Sequence, residues 1–318
     1  MDYNEFTDRL VSKSKGKTTM LTQEITSSTT PALRLADVSE TGLLTLYGRA
    51  QETLTPDPIL KDEKAVEITR AINPLLVESD SKVLQDLARG RVNPNLRVHI
   101  ALRAKQYDQY ALDFLARHPD GIIVNLGCGM DSRFVRISDA RKSEREMVFF
   151  DLDLPEVIAV KKQFFQESER YHLLGESVFD YRWMDPVLAY GPRPVLFLAE
   201  GLFMYLDADR VKDLTLTLRA RFPGSELVCE VVHRRWIGGL ASKMVRFKMQ
   251  GRLGIGAEAV YHFGVASSRE MESWNPGIRF LDEWCYFDTR HPKLGWMRWF
   301  ARGESMRHVQ WTVHYRLG

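Results

Sequence analysis

Three short stretches of this chain carry residue types that can do chemistry. Gly127-Cys128-Gly129 follows an apolar run and precedes Asp131-Ser132, both candidate helix caps. Glycines at such a place let the backbone turn tightly and approach a ligand, with helix-terminal N–H groups at hand. Ser132 stands where a G-x-G-x-x-G fingerprint would have its third glycine, which counts against a pyrophosphate ligand. Asp151 and Asp153 come next, at the roughly 20-residue distance where an acid can grip ribose hydroxyls. Asp153-Leu154-Pro155-Glu156 also has the form of a capping box with proline near the first turn, and one aspartate can serve both purposes. Glu200-Gly201 ends a further apolar run. A carboxylate there is costly to bury unpaired, so it should meet a cationic group of a ligand or of the protein.

All three stretches fall at the carboxyl ends of predicted strands. Ile122–Leu126, Met147–Phe150, Val195–Ala199 and Glu226–Val232 are apolar runs of the kind buried on both faces of a parallel sheet. Helices are expected over Leu96–Arg117, Pro155–Glu169 and Asp207–Phe222. In the first of these, Ile100, Ala104, Tyr107, Ala111 and Phe114 form one buried stripe. Strands alternating with helices imply a doubly wound α/β sheet, which binds ligands beyond its strands' carboxyl ends. Arg279–Trp284 and His308–Leu317 break that rhythm. In the last, apolar and polar residues alternate as in an antiparallel strand with one wet face.

Upstream, a helical pattern from Met20 to Arg91 is expected to be cut by Pro31, Pro56, Pro58 and Pro74, behind a frayed start around Lys13–Lys17. The organisation expected is therefore an N-terminal helical cap over 1–95 and a core over 96–318. An apolar and basic insertion at about 233–273, suited to a lid, interrupts that core. The Lys243, Arg246, Lys248 and Arg252 cluster within it is most simply a solvated helix face.

The net charge of +2 lacks the basic excess of a nucleic-acid binder, so no nucleic-acid partner is expected. Cys128, Cys229 and Cys285 are scattered, and neither they nor the histidines show paired metal-ligand spacing, so no metal is expected. No run approaches the ~18 apolar residues of a membrane span. A soluble cytoplasmic enzyme with a small-molecule substrate is the expectation, its oligomeric state left open.

Val124–Phe134, Phe150–Val157 and Leu198–Leu206, in this order and spacing, resemble the leucine carboxyl methyltransferase family. The likeness is closer to its bacterial small-molecule branch, the tetracenomycin-type polyketide O-methyltransferases. It runs from about Leu96 to the C-terminus, with Pro56-Asp57-Pro58-Ile59-Leu60 a looser match upstream. The resemblance implies a Rossmann-like, class I methyltransferase sheet, mostly parallel with an antiparallel last strand. It also implies S-adenosylmethionine as cofactor and S-adenosylhomocysteine as product.

Residue by residue, the resemblance implies that Gly127, Cys128 and Gly129 pack on the methionyl part of the cofactor. Asp153 holds its ribose, with Asp151 and Leu154 as neighbours, and Asp180 and Tyr181 contact its adenine. Glu200 and Gly201 stand near its amino end, and Arg103 meets its carboxylate. Cys128 replaces the family's usual alanine and is not expected to act as a nucleophile. By residue type alone, Arg103 would be a solvated helix arginine, Asp180 a turn former and Tyr181 a core aromatic.

The reaction expected is direct displacement of the sulfonium methyl by a substrate oxygen, with the protein supplying position. A carboxylate needs no base, whereas a phenol with a pKa of about 10 would benefit from one. No compelling base stands in the sequence, which favours carboxyl methylation. Tyr205 and His233 are candidate catalytic residues, and Arg34 and Tyr261 candidate substrate contacts. A protein C-terminal carboxylate as substrate, a nicotinamide oxidoreductase and a non-catalytic cofactor-binding module remain the alternatives.

Overall fold

The computed structural model describes residues 40–141, 147–237 and 261–318. Arg34, the Lys13–Lys17 stretch and the greater part of the expected lid, with its basic cluster, lie outside the described residues.

Three helices open the described chain: α1 (Glu40–Thr53), α2 (Glu63–Val77) and α3 (Lys82–Ala88). Pro56 and Pro58 separate α1 from α2 as expected, and Asp62 caps α2 by accepting the Ala65 N–H at 3.0 Å. Pro74 does not separate helices. It lies inside α2, which continues only to Val77.

The long helix α4 (Pro94–Arg117) starts where Asn93 accepts the N–H groups of Asn95 and Leu96 and Pro94 presets the first turn. All five residues of its predicted stripe are buried. Full burial of such side chains stabilises by about 1.5–3 kcal/mol each for the larger ones, which holds α4 against the sheet.

The sheet follows as β1 (Ile122–Leu126), β2 (Val148–Asp153), β3 (Tyr171–Gly175), β4 (Val195–Ala199), β5 (Ser225–Val232), β6 (Ile278–Trp284) and β7 (Gln310–Leu317). Between the strands lie α5 (Arg133–Arg141), α6 (Pro155–Lys161), α7 (Met184–Leu188), α8 (Ala208–Arg221) and a short α9 (Glu304–Arg307). The strand order is β3-β2-β1-β4-β5-β7-β6, parallel except that β7 runs antiparallel to both its neighbours. Alternate residues of β1 serve two cores. Ile123 packs with α1–α6, whereas Ile122, Val124 and Leu126 pack with α7 and α8. The order reverses direction at β1, so the crevice between the carboxyl ends of β1 and β4 is the topological switch point.

Several sequence expectations are corrected. Helix α6 stops at Lys161 instead of reaching Glu169, because the chain folds back through a Ser168–Tyr171 bridge into β3, a strand the sequence reading did not place. Asp153 is no capping box. The N-cap of α6 is Leu154, without a side-chain bond. Ser132 stands just before α5, where its carbonyl accepts the Arg136 N–H at 3.2 Å and its hydroxyl goes to Asp62. The wet face expected of the last strand is absent too. Thr312 and His314 are buried because α4 lies over that face, with Tyr110 edge-on to His314 at 5.3 Å. Among the described residues, no helix is long and apolar enough to cross a membrane.

Candidate functional site

The glycine turn leaves β1 with Gly127 at φ +63° and Gly129 at φ +49°, a left-handed region that glycine enters without strain. A Cβ on Gly127 would stand 2.8 Å from Leu202 Cδ1, so the Leu202 side chain after β4 would have to shift. A Cβ on Gly129 would meet nothing within 4 Å, so its face is open.

The turn is held from two sides. Asp153, at the end of β2, accepts the Gly129 N–H at 2.7 Å on one oxygen and the Leu154 N–H at 2.8 Å on the other. Burial raises the Asp153 carboxyl, and these two donors pull it back. Each oxygen keeps a second lone pair for a ligand hydroxyl. From beneath, fully buried Lys161 gives its ammonium to the carbonyls of Gly129 (3.2 Å) and Asp131 (2.7 Å) and to Asp151 Oδ2 (2.9 Å). Asp151 also accepts from Asn125 at 2.9 Å and from the Tyr171 hydroxyl at 2.6 Å. It is therefore saturated below the turn, with 1% exposure.

Across the switch point, Glu200 follows β4. Its Oε1 accepts Arg103 Nε at 2.7 Å and its Oε2 accepts Arg133 Nη2 at 2.5 Å. Burial alone would raise the Glu200 carboxyl, but the Arg103 and Arg133 guanidiniums hold it below the usual range. Arg103 also reaches Glu230 Oε2 at 3.0 Å, and its Nη2 meets no acceptor among the described residues. Gly201, at φ +64°, keeps that guanidinium accessible, since a Cβ there would lie 3.7 Å from Nη1 and Nη2. Arg133 is different. Its three nitrogens are taken by Asp108, Asp131 and Glu200. Burial would raise Asp131 as well, yet Arg133 and Arg136 hold it far below the carboxylate range.

Glu230 is buried on β5 and accepts also from the Tyr286 hydroxyl at 2.5 Å and Gln310 at 2.6 Å. Tyr286 stacks on His99 with centroids 3.6 Å apart. One turn before Arg103, the His99 imidazole is pushed down to about 3 by burial and by Arg103.

Above β4, the N–H groups of His262 and Phe263 bind the Met204 carbonyl at 2.8 and 3.2 Å. This pins the end of the insertion and sets Tyr261 against Tyr205, with ring centroids 5.8 Å apart. Burial pushes the Tyr205 phenol up to about 12, with the Glu230 charge adding to it. His233 leaves β5 half-buried, and its Nδ1 accepts the Arg235 N–H at 3.2 Å. Its pKa is lowered by burial and by Arg235. Asp180 caps a turn after β3 and pairs on the surface with Arg182, and the Tyr181 hydroxyl meets Asp213 of α8 at 2.5 Å. Cys128 is buried, and burial holds its thiol well above the ordinary value.

The structure thus joins Arg103 to Glu200 directly and both Gly129 and Leu154 to Asp153, while Asp180 and Tyr181 stand apart in the loop after β3. The sequence reading missed Arg133, Glu230 and Lys161. Two signals were available. Arg133 opens α5, where a cation opposes the helix dipole, and Glu230 interrupts a buried strand. Among the described residues around the switch point, the carboxylates outnumber the cations, and Arg103 Nη2 meets no acceptor. That donor set fits a zwitterionic ligand with net positive charge, as S-adenosylmethionine is.

The comparisons agree. The sequence model of the family described as leucine carboxyl methyltransferase matches residues 42–218. The tetracenomycin polyketide synthesis O-methyltransferase TcmP of Streptomyces glaucescens is 32% identical over 259 residues, covering 81% of this chain and 86% of that protein. The S-adenosyl-L-methionine-dependent methyltransferase dpfgK of Gibberella zeae is 27% identical over 299 residues, covering 89% and 94%. A DUF574 family protein from Streptomyces avermitilis shares the fold at a TM-score of 0.52 and 12% identity, covering 79% of this chain and 97% of that one. The family model spans more than half of the chain, and the glycine turn, Asp153 and Glu200 all fall within it. This chain belongs to the leucine carboxyl methyltransferase family and is an S-adenosylmethionine-dependent methyltransferase.

Proposed function

We propose that this chain methylates an oxygen of a small organic molecule of polyketide type, preferentially a carboxylate. The observation that carries this reading is the 32% identity, over most of both chains, to a protein named for polyketide O-methylation. When bound, S-adenosylmethionine supplies a sulfonium methyl activated for direct displacement. The chain's own residues hold and orient. Arg103 Nη2 is the donor for the cofactor carboxylate, Glu200 and Gly201 face its ammonium, and Asp153 accepts from its ribose through its remaining lone pairs. Gly127, Cys128 and Gly129 form the floor, and Asp151 acts from beneath by fixing Lys161. Asp180 and Tyr181 border the adenine end.

The preference for a carboxylate rests on three groups among the described residues, His99, Tyr205 and Tyr261. His99 is too weak a base, and Tyr205 and Tyr261 are phenols whose protons are held tightly. None is matched to take a proton from a phenolic substrate near neutrality. Tyr205 and Tyr261 serve as hydrogen-bond donors and an aromatic wall for the acceptor.

Incubation with methyl-labelled cofactor and a small-molecule extract, followed by mild alkali, tests this. Label released as methanol supports a methyl ester. Label stable to alkali points to an ether and a hydroxyl acceptor, and label confined to precipitated protein overturns the small-molecule reading.

A further inference from the structure

The carboxyl end of β6 and the chain entering β7 bring together three side chains that the methyl-transfer site does not use. Donor atoms of Glu283, Cys285 and His308 all lie within 4.8 Å of one another. Cys285 follows β6 with extended backbone (φ −108°, ψ 137°), so strand alternation continues and Glu283 and Cys285 project to the same face. His308 stands just before β7 and packs edge-on against Trp311, with centroids 4.9 Å apart. Glu283 Oε1 is 3.1 Å from His308 Nε2.

We propose that Glu283, Cys285 and His308 form a binding site for a thiophilic divalent metal ion, of which zinc is the representative, with water completing the coordination.

The donor set is one carboxylate oxygen, one sulfur and one imidazole nitrogen, all of them zinc ligands. Magnesium and calcium, which take six or more oxygens, do not suit it. Carboxylate and thiolate together balance a dication, so the occupied cluster is neutral and can sit half-buried. The surrounding contacts orient each ligand. Glu304 Oε1 lies 2.9 Å from His308 Nδ1, which leaves Nε2 to face Glu283 in the carboxylate–histidine arrangement that metal sites use. Ser268 donates to the other oxygen of Glu283 and is itself fixed by Trp311 Nε1 at 2.8 Å. Arg307, the nearby cation, is already neutralised by Asp288 at 2.8 Å.

Zinc bond lengths place tetrahedral donors about 3.3–3.7 Å apart. The Glu283–His308 separation is already that short, and the sulfur needs only a side-chain adjustment to join. Without a cation, burial pushes the Cys285 thiol up to about 12. A dication reverses that preference, so binding replaces the S–H bond by a metal–sulfur bond and releases one proton to solvent. Occupancy would tie β6 to the start of β7. Through the His233 N–H bound to the Val309 carbonyl at 3.2 Å, it would also brace the carboxyl edge of β5. The competing arrangement is metal-free, with His308 bridging Glu283 and Glu304 through hydrogen bonds.

The test uses the full-length, tag-free protein, stripped with chelator and reloaded with zinc or cobalt. One zinc per chain retained through gel filtration, with a raised melting temperature, is expected. Cobalt should give a thiolate-to-metal charge-transfer band that Cys285→Ser abolishes, and His308→Ala should weaken zinc binding at least tenfold. Should Cys285→Ser fail to fold, His308→Ala and Glu283→Gln decide. No retained zinc in a folded chain, or retention unchanged in the ligand variants, overturns the proposal and leaves the hydrogen-bonded bridge.

Discussion

Arg103 and Glu200 meet through a 2.7 Å bond from Nε to Oε1 that spans the crevice between α4 and the end of β4. The pair leaves one guanidinium nitrogen unoccupied while Arg133, on the other side of Glu200, has none to spare. Two arginines on one carboxylate therefore have different work, and substitution should separate them.

In Arg103→Met, Glu200 keeps Arg133, whereas buried Glu230 loses its cation and keeps Tyr286 and Gln310, so the chain should stay folded with stability lowered by about 3 kcal/mol. Loss of a charged donor, worth about 1.5–3 kcal/mol, should weaken S-adenosylmethionine binding roughly 10- to 100-fold by calorimetry. Arg133→Met should lower unfolding stability by about 3–5 kcal/mol in denaturant titration, since it removes a buried guanidinium shared by three carboxylates and leaves Asp108 and Asp131 to Arg136 alone.

Lys161→Met removes the ammonium that ties Gly129 and Asp131 to Asp151. A buried carboxylate then loses its cation, so a stability loss of about 3 kcal/mol is expected. The glycine turn also loses its lower support. The KM for cofactor should rise several-fold while kcat at saturating cofactor changes little, and an equal fall in kcat would contradict a purely positioning role.

The two glycines should answer differently to alanine. Both substitutions incur the left-handed penalty of about 1–2 kcal/mol. Gly127→Ala adds a collision with Leu202 at 2.8 Å and should be the less stable variant in thermal melts. Gly129→Ala meets open space in the free protein, so its effect should appear chiefly as weaker cofactor binding.

His99 should make the fold acid-sensitive. Its folded pKa of about 3 lies below the ordinary 6.5, so between those values the unfolded chain binds the extra proton. Stability is therefore fully present above about pH 6.5 and falls toward pH 3, by at most about 1.4 kcal/mol per pH unit from this group. His99→Phe, which keeps a ring against Tyr286, should flatten the stability profile in that window. Identical slopes for the two proteins in pH-dependent denaturation would remove His99 as the cause.

Local pattern was enough to place β1, β4, β5 and the stripe of α4, because a buried parallel strand and an amphipathic helix write their periods into consecutive residues. It also located Gly127, Asp153 and Glu200 at strand ends, since a glycine turn and an acid after an apolar run are local features. It did not find β3, a short edge strand with one covered face, whose alternation over five residues is too weak to stand out. Nor did it see that Thr312 and His314 on β7 are buried, which depends on α4 lying over that face of the sheet. The roles of Arg133, Lys161 and Glu230 were beyond it as well. Whether a charge is solvated or buried against a partner is set by residues far away in the chain, 127 positions in the Arg103–Glu230 bond. Sequence named the acids and the turn; only the tertiary fold decided which arginine is saturated and which keeps a free nitrogen.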